Sequence, residues 1–169
     1  KHKYFCMRIL IIYMSSHGCT ERVATTISTK LQNHIVSLHN LKEQMLPHLA
    51  LYDAVIIGGS IHAGEIQSKI KSYCKKNEDL LLQKKVGLYL CCMEKGEIAK
   101  KQFENAFPEK LRKNAVAKAL MGGEFAFEKM NFFEKSIVKK FAHIEDSVSE
   151  IKFNVIDEFV EKIESALSK

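Results

Sequence analysis

Between the apolar run Arg8–Met14 and a helical pattern that begins at Glu21 lie six small or polar residues: Ser15, Ser16, His17, Gly18, Cys19 and Thr20. Three hydroxyls, a glycine and the N–H groups of a coming helix can hold a phosphate dianion without a cation. Hydrogen bonds and the helix macrodipole supply the attraction. Gly18 lets the backbone curl around the oxygens. The same residues also suit an ordinary N-cap, in which a hydroxyl of Ser15, Ser16 or Thr20 accepts from the free N–H groups. Other phosphate chemistries lack their residues. There is no GxxxxGK motif for a nucleotide triphosphatase and no GxGxxG for a dinucleotide. The first loop has no cysteine five residues before an arginine, as a phosphotyrosine phosphatase on this architecture requires. It also has no acidic residues, as a response-regulator receiver requires.

Two further loops carry candidate chemistry. Gly59, Ser60, Ile61, His62, Ala63 and Gly64 form a long loop flanked by glycine, whose backbone can approach a flat ligand. His62 is either a stacking partner for that ligand or a surface residue. Cys91, Cys92, Met93 and Glu94 begin apolar and end polar. Cys91 and Cys92 read as buried strand residues rather than nucleophiles, because free cysteine packs as a small hydrophobe. Adjacent strand residues point to opposite faces, which disfavours a disulfide between them. Cys19 opens a helix, where a thiol pKa is lowered. Its side chain reads as a spacer.

Regular elements must position these loops. Arg8–Met14, Tyr52–Ser60, Lys85–Met93 and Ala115–Met121 read as strands, with a short one at His34–Leu38. Glu21–Leu31, Glu65–Lys76, Ile98–Phe107 and Asn154–Leu167 read as helices, with a weaker helical connection over Leu41–Leu51 broken by Pro47. Strands alternating with helices predict an α/β fold with a parallel sheet covered on both faces. Such sheets bind ligands beyond the strand C-termini, which is where all three loops fall. Residues 124–153 break the alternation and read as an insertion before the last helix. Their apolar residues Met130, Phe133, Ile137 and Phe141 share a helical face, beside Lys129, Lys135, Lys139 and Lys140. That stripe suits either packing on the domain or a second subunit, or an interfacial helix against a membrane over 125–141.

The chain has 169 residues, a net charge of +6 and five cysteines without a CxxC pair. The length suits one domain over 1–169, with 1–6 as an appendage before Met7. The cysteine usage points to reduced thiols and a cytoplasmic setting. No apolar run approaches the roughly 20 residues of a membrane span. A basic surface favours anionic partners. No nucleic-acid motif accompanies the cluster Lys69, Lys71, Lys75 and Lys76, so no nucleic-acid partner is expected.

The first loop resembles the FMN phosphate loop of flavodoxins, Ser/Thr-x-Thr-Gly-x-Thr, with Ser15, Gly18, Cys19 and Thr20 in register and His17 at the middle threonine. YDAVIIGGSIHAGEIQSKIKSYCKKN is similar to the corresponding stretch of the menaquinone-dependent protoporphyrinogen IX dehydrogenase branch. His62 and Ala63 depart from the arginine and tyrosine that branch tends to carry. The resemblance implies a flavodoxin-like three-layer sandwich whose five-stranded parallel sheet runs 2-1-3-4-5. It implies non-covalent FMN, with the phosphate on Ser15–Thr20 and the ring between Ser60–Gly64 and Cys91–Glu94. It further implies an FMN-dependent oxidoreductase that oxidises protoporphyrinogen IX with a quinone acceptor, in heme biosynthesis, at the inner face of the cell membrane. The other reading is a flavodoxin-type electron carrier that serves a redox partner and has no substrate of its own. Such carriers are usually acidic, and the basic charge of this chain counts against that role. A homo-oligomer fits either reading.

Overall fold

The computed structural model describes residues 6–42, 46–142 and 146–169. Five strands pair in parallel: β1 (Arg8–Tyr13), β2 (Ile35–Asn40), β3 (Ala54–His62), β5 (Lys85–Cys91) and β6 (Ala117–Leu120). Their order is β2-β1-β3-β5-β6, with β4 (Glu65–Ile66) antiparallel on the end of β3. The five parallel strands thus follow the expected order 2-1-3-4-5.

The strands are continuous apolar runs because helices cover both sheet faces. On one face Ile9, Ile11, Ile56 and Tyr89 pack under α1 (Cys19–Lys30) and α7 (Phe153–Leu167) through Val23, Ile27, Ile156, Phe159 and Ile163. On the other face Leu10, Ile12, Val55, Ile57, Leu88 and Leu90 pack against α2 (Ser68–Lys76), α3 (Glu78–Leu81), the end of α4 (Gly96–Ala106) and α5 (Glu109–Asn114). The alternation of side chains along each strand divides one apolar run between two cores.

Three expectations need correction. Glu65 and Ile66 do not start the second helix. Ala63 and Gly64 turn the chain at positive φ, 50° and 85°, and fold these two residues back on β3 as β4. Among the described residues of 41–51 there is no α-helix, only a 3₁₀ turn at Leu49–Leu51, and residues 43–45 lie outside the described residues. The face assigned to Met130, Phe133, Ile137 and Phe141 is broken, because α6 (Phe132–Ala142) starts after Met130. Met130 is buried, whereas Phe133 is 73% exposed. Asn131 and Glu134 set that start: each backbone N–H donates to the other's side chain at 2.9 Å, a reciprocal cap. The expected appendage falls mostly outside the described residues, and Cys6 is exposed.

The insertion leaves the sheet at Gly122, whose φ of 77° and contact with the Glu150 carbonyl exclude a side chain. It returns as β8 (Val148–Ser149), antiparallel to β7 (Glu124–Phe125). Glu150 N–H to Gly123 O and Lys152 N–H to Met121 O close its base at 2.8 and 2.9 Å. No described helix is long and apolar enough to cross a membrane.

Candidate functional site

Strand register brings the three loops together. Tyr13 lies opposite Gly58, so the loop after β1 adjoins the end of β3; Ser60 lies opposite Cys91, so that end adjoins the loop after β5. Between them opens a cavity of about 510 Å³, within the roughly 300–1,000 Å³ typical of small-molecule sites. Of the expected site residues, Ser15, Ser16, His17, Cys19 and Thr20 line it, as do Ser60 to Gly64 and Cys91 to Glu94. Gly18 and Gly59 are not among its walls. A hollow of about 70 Å³ behind Cys92 and Lys95 is much smaller.

The first loop is tightly wound. Gly18 is the residue before α1, with φ 96°. Its N–H donates to Ser15 Oγ at 3.0 Å, which folds the loop on itself. No side chain caps α1. The ordinary N-cap therefore does not form, and no side chain accepts from the N–H groups of the first turn. Thr20 is almost fully buried. The buried Tyr89 hydroxyl donates to Thr20 O at 3.1 Å and fixes that turn from below. A Cβ on Gly58 would lie 1.8 Å from the Tyr89 ring, so this glycine is what lets the tyrosine pass.

Gln67 ties the first loop to the second. Its amide nitrogen donates to Met14 O at 3.0 Å and Ser60 Oγ at 2.7 Å, and its oxygen accepts from Ser60 N–H at 2.9 Å. Gly59 makes room for this, since a Cβ there would meet Ile66 and Gln67 at under 3 Å. His62 stands at the rim with Nε2 3.0 Å from Ser60 Oγ, its ring 5.9 Å from that of His17. Partial desolvation holds the His62 pKa below the ordinary histidine value, and the neighbouring His17 adds to this.

Cys91 and Cys92 are buried, but only Cys91 belongs to β5; Cys92 follows it, its N–H donating to Gly122 O at 2.8 Å. A side-chain hydrogen bond from Cys91 lowers the Cys19 thiol, while the same bond and burial raise Cys91. Cys19 is buried too, which suits a packing role.

The sequence reading did not place the insertion in this site. Its residues Gly123, Glu124, Phe125, Met130, Glu134, Ile137 and Val138 form another wall. Glu134 Oε2 meets His17 Nε2 at 3.2 Å, and Glu124 Oε1 accepts from Arg22 Nη1 at 2.9 Å. The Asn131 N–H holds the Glu134 carboxyl below its usual range, against partial desolvation, with His17 contributing less. The Asn131-x-x-Glu134 capping pattern was the available signal for where the helix begins. Gln102 of α4 was missed as well. It lines the cavity, and its amide oxygen is buried without a hydrogen-bond partner among the described residues. An orphaned acceptor of this kind suits an N–H donor on a ligand. No cluster of metal-ligating side chains occurs among the described residues.

A family model described as Flavodoxin domain matches residues 10–152. No curated protein sequence matches the chain. Among solved structures, the fold is similar to rubredoxin oxygen:oxidoreductase from Desulfovibrio gigas, at TM-score 0.53 and 14% identity over 95% of this chain and 36% of that one. It is similar to the Flv1 flavodiiron core of Synechocystis sp. PCC6803, at 0.57 and 15% over 98% and 37%. This chain thus spans little more than a third of either protein. A variant flavodoxin of Fusobacterium nucleatum bound to flavin mononucleotide gives 0.53 and 16% over 98% and 95%.

Proposed function

The chain belongs to the flavodoxin-domain family, and from that premise we propose that it is an FMN-dependent oxidoreductase whose substrate reaches the flavin beside the insertion. The observation that carries this reading is the cavity itself, with an uncapped helix and hydroxyl loop at one side and two strand-end loops beside it. The residues fit FMN. Ser15, Ser16, Thr20 and the backbone of His17 to Cys19 would hold the phosphate. Ser60 to Gly64 and Cys91 to Glu94 would flank the ring, and Gln102 offers the ring system an acceptor. When bound, FMN supplies the oxidation of an organic substrate and delivery of the electrons to an acceptor.

The protein's own residues then do the positioning. Gln67 holds the first two loops at a fixed separation. Met130, Ile137 and Val138 give the cavity an apolar wall, which excludes water from the reacting edge. His62, held toward its neutral form, can accept a proton at the rim from a substrate losing hydrogen.

The finer reading takes protoporphyrinogen IX as substrate and a quinone as acceptor. It is supported by the resemblance in residues 52–77 and by the +6 charge, which suits a propionate-bearing substrate. Turnover of protoporphyrinogen with a menaquinone analogue by FMN-loaded protein tests it. No turnover, with FMN bound and reducible, would leave the electron-carrier role. Contact with the membrane is the outer part of this reading. Phe132 and Phe133 are 89% and 73% exposed, next to Lys135 and Lys139. Replacing Lys135, Lys139 and Lys140 with glutamine should then weaken binding to anionic vesicles. Absence of vesicle binding by the unaltered chain removes this part.

A further inference from the structure

The phosphate loop contains no charged residue, but a cation reaches it from elsewhere in the chain. Lys129 Nζ lies 2.9 Å from the point a Cβ on Gly18 would occupy. The ammonium therefore stands beside the Gly18 turn of the loop, although neither Gly18 nor Lys129 is among the walls of the cavity. Lys129 ends the 3₁₀ turn Phe127–Lys129 of the insertion, over 100 residues from Gly18 in sequence. That turn is well held. Phe127 and Met130 are buried on either side. Phe127 N–H donates to Ser147 Oγ at 3.0 Å, and the Ser147 hydroxyl donates to Glu128 at 2.6 Å.

The neighbouring carboxylates are engaged by other groups. Glu134 is held by His17 and the Asn131 N–H, and Glu124 by Arg22. Among the described residues, Lys129 has no carboxylate within ion-pair distance. The loop's N–H groups offer an ammonium nothing, because both sides donate, and its hydroxyls can accept as well as donate. An anion between the two sides would accept from the ammonium, the N–H groups and the hydroxyls together.

We propose that Lys129 binds the cofactor phosphate from above, so that the phosphate is shared by the loop and the insertion, and cofactor loading and docking of the insertion are one coupled equilibrium. This rests on the FMN reading. By linkage, a ligand that contacts the docked insertion shifts it toward the docked state by its differential affinity. Riboflavin has the same ring and ribityl chain without the phosphate, so it should not engage Lys129.

The test uses the full chain, with FMN and riboflavin titrated in parallel by flavin fluorescence quenching. Lys129→Met should weaken FMN about fivefold, as expected for a partly exposed ion pair with a dianion, and leave riboflavin unchanged. Lys129→Arg should restore FMN binding. Raising salt to roughly 0.3 M, where the Debye length has dropped below about 8 Å, should weaken FMN less in Lys129→Met than in the unaltered chain. Hydrogen exchange gives a second readout. FMN should slow exchange over 127–142 more than riboflavin does, and Lys129→Met should abolish that difference. Equal losses for FMN and riboflavin, or equal protection by both, would overturn the proposal while leaving the FMN reading intact. Failure of the unaltered chain to bind FMN would overturn both.

Discussion

The two halves of the site are built differently. The loops after β1, β3 and β5 hang from strands whose side chains are almost wholly inaccessible, and they interlock through Tyr89, Gly58 and Gln67. The insertion is attached to the same cavity by a two-residue strand pair, a few buried apolar residues and ion pairs such as His17–Glu134, Arg22–Glu124 and Lys95–Glu150. The first half inherits the stability of the whole sheet. The second can open locally at a much lower cost, because few of its contacts belong to the central core. On the proposed oxidoreductase reading, a rigid cradle with a weakly held wall would let a cofactor be fixed and a substrate admitted at the same cavity.

That contrast can be broken most severely at Gly58. Gly58→Ala drives a methyl into the Tyr89 ring and should cost about 3 kcal/mol, the upper end for overpacking. Urea unfolding would show it, and a near-neutral result would mean the cradle is less rigid than its packing implies. Next comes Thr20→Val, which removes a hydroxyl from the loop proposed to hold the phosphate. FMN affinity should fall by about 1.5–3 kcal/mol, the range for a hydrogen bond to a charged group. Fluorescence titration measures it, and unchanged affinity would refute the assignment of the loop.

On the insertion side the effects should be smaller. Glu134→Ala removes one half of the α6 cap and the partner of His17, for about 1 kcal/mol. Hydrogen exchange should quicken over 131–142 while global unfolding in urea scarcely moves. A matching global loss would mean that the two halves unfold together. The finest probe is the pair of rim histidines. His62 binds its proton less readily folded than unfolded, so below 6.5 the unfolded chain takes up the proton first. The His62 contribution to stability is therefore present above 6.5 and is lost as pH falls through the window beneath it. His17→Gln removes the neighbouring imidazole that helps hold the His62 pKa down and should raise it, narrowing that window. An imidazole NMR titration reads this, and an unmoved His62 would separate the two rings electrostatically.

Legibility in the sequence followed the same division. Strands such as RILIIY and VIIGG are apolar on both faces, a signal that depends only on local composition, and their alternation with helices implied the sheet. That the loops meet was readable because a parallel sheet gathers the loops after its strands at one edge. The insertion was not readable to the same degree. An apolar stripe says that something covers it, but periodicity carries no information on what. Here Met130 and Ile137 turn to the cavity, while Phe132 and Phe133 stay in solvent. Gln67 and Gln102 were invisible for another reason. A glutamine in a helical pattern reads as solvated, and only the fold brings Met14 and Ser60 within reach of one amide.

That amide also bears on how the site could be re-engineered. A designer wishing to move the second loop into another protein would take residues 59–64 as a cassette. Gln67 lies outside those limits yet joins Met14 to Ser60. A transplanted loop that arrives without its own Gln67 would lose its bond to the loop that begins at Ser15. The smallest transferable module therefore ends at residue 67.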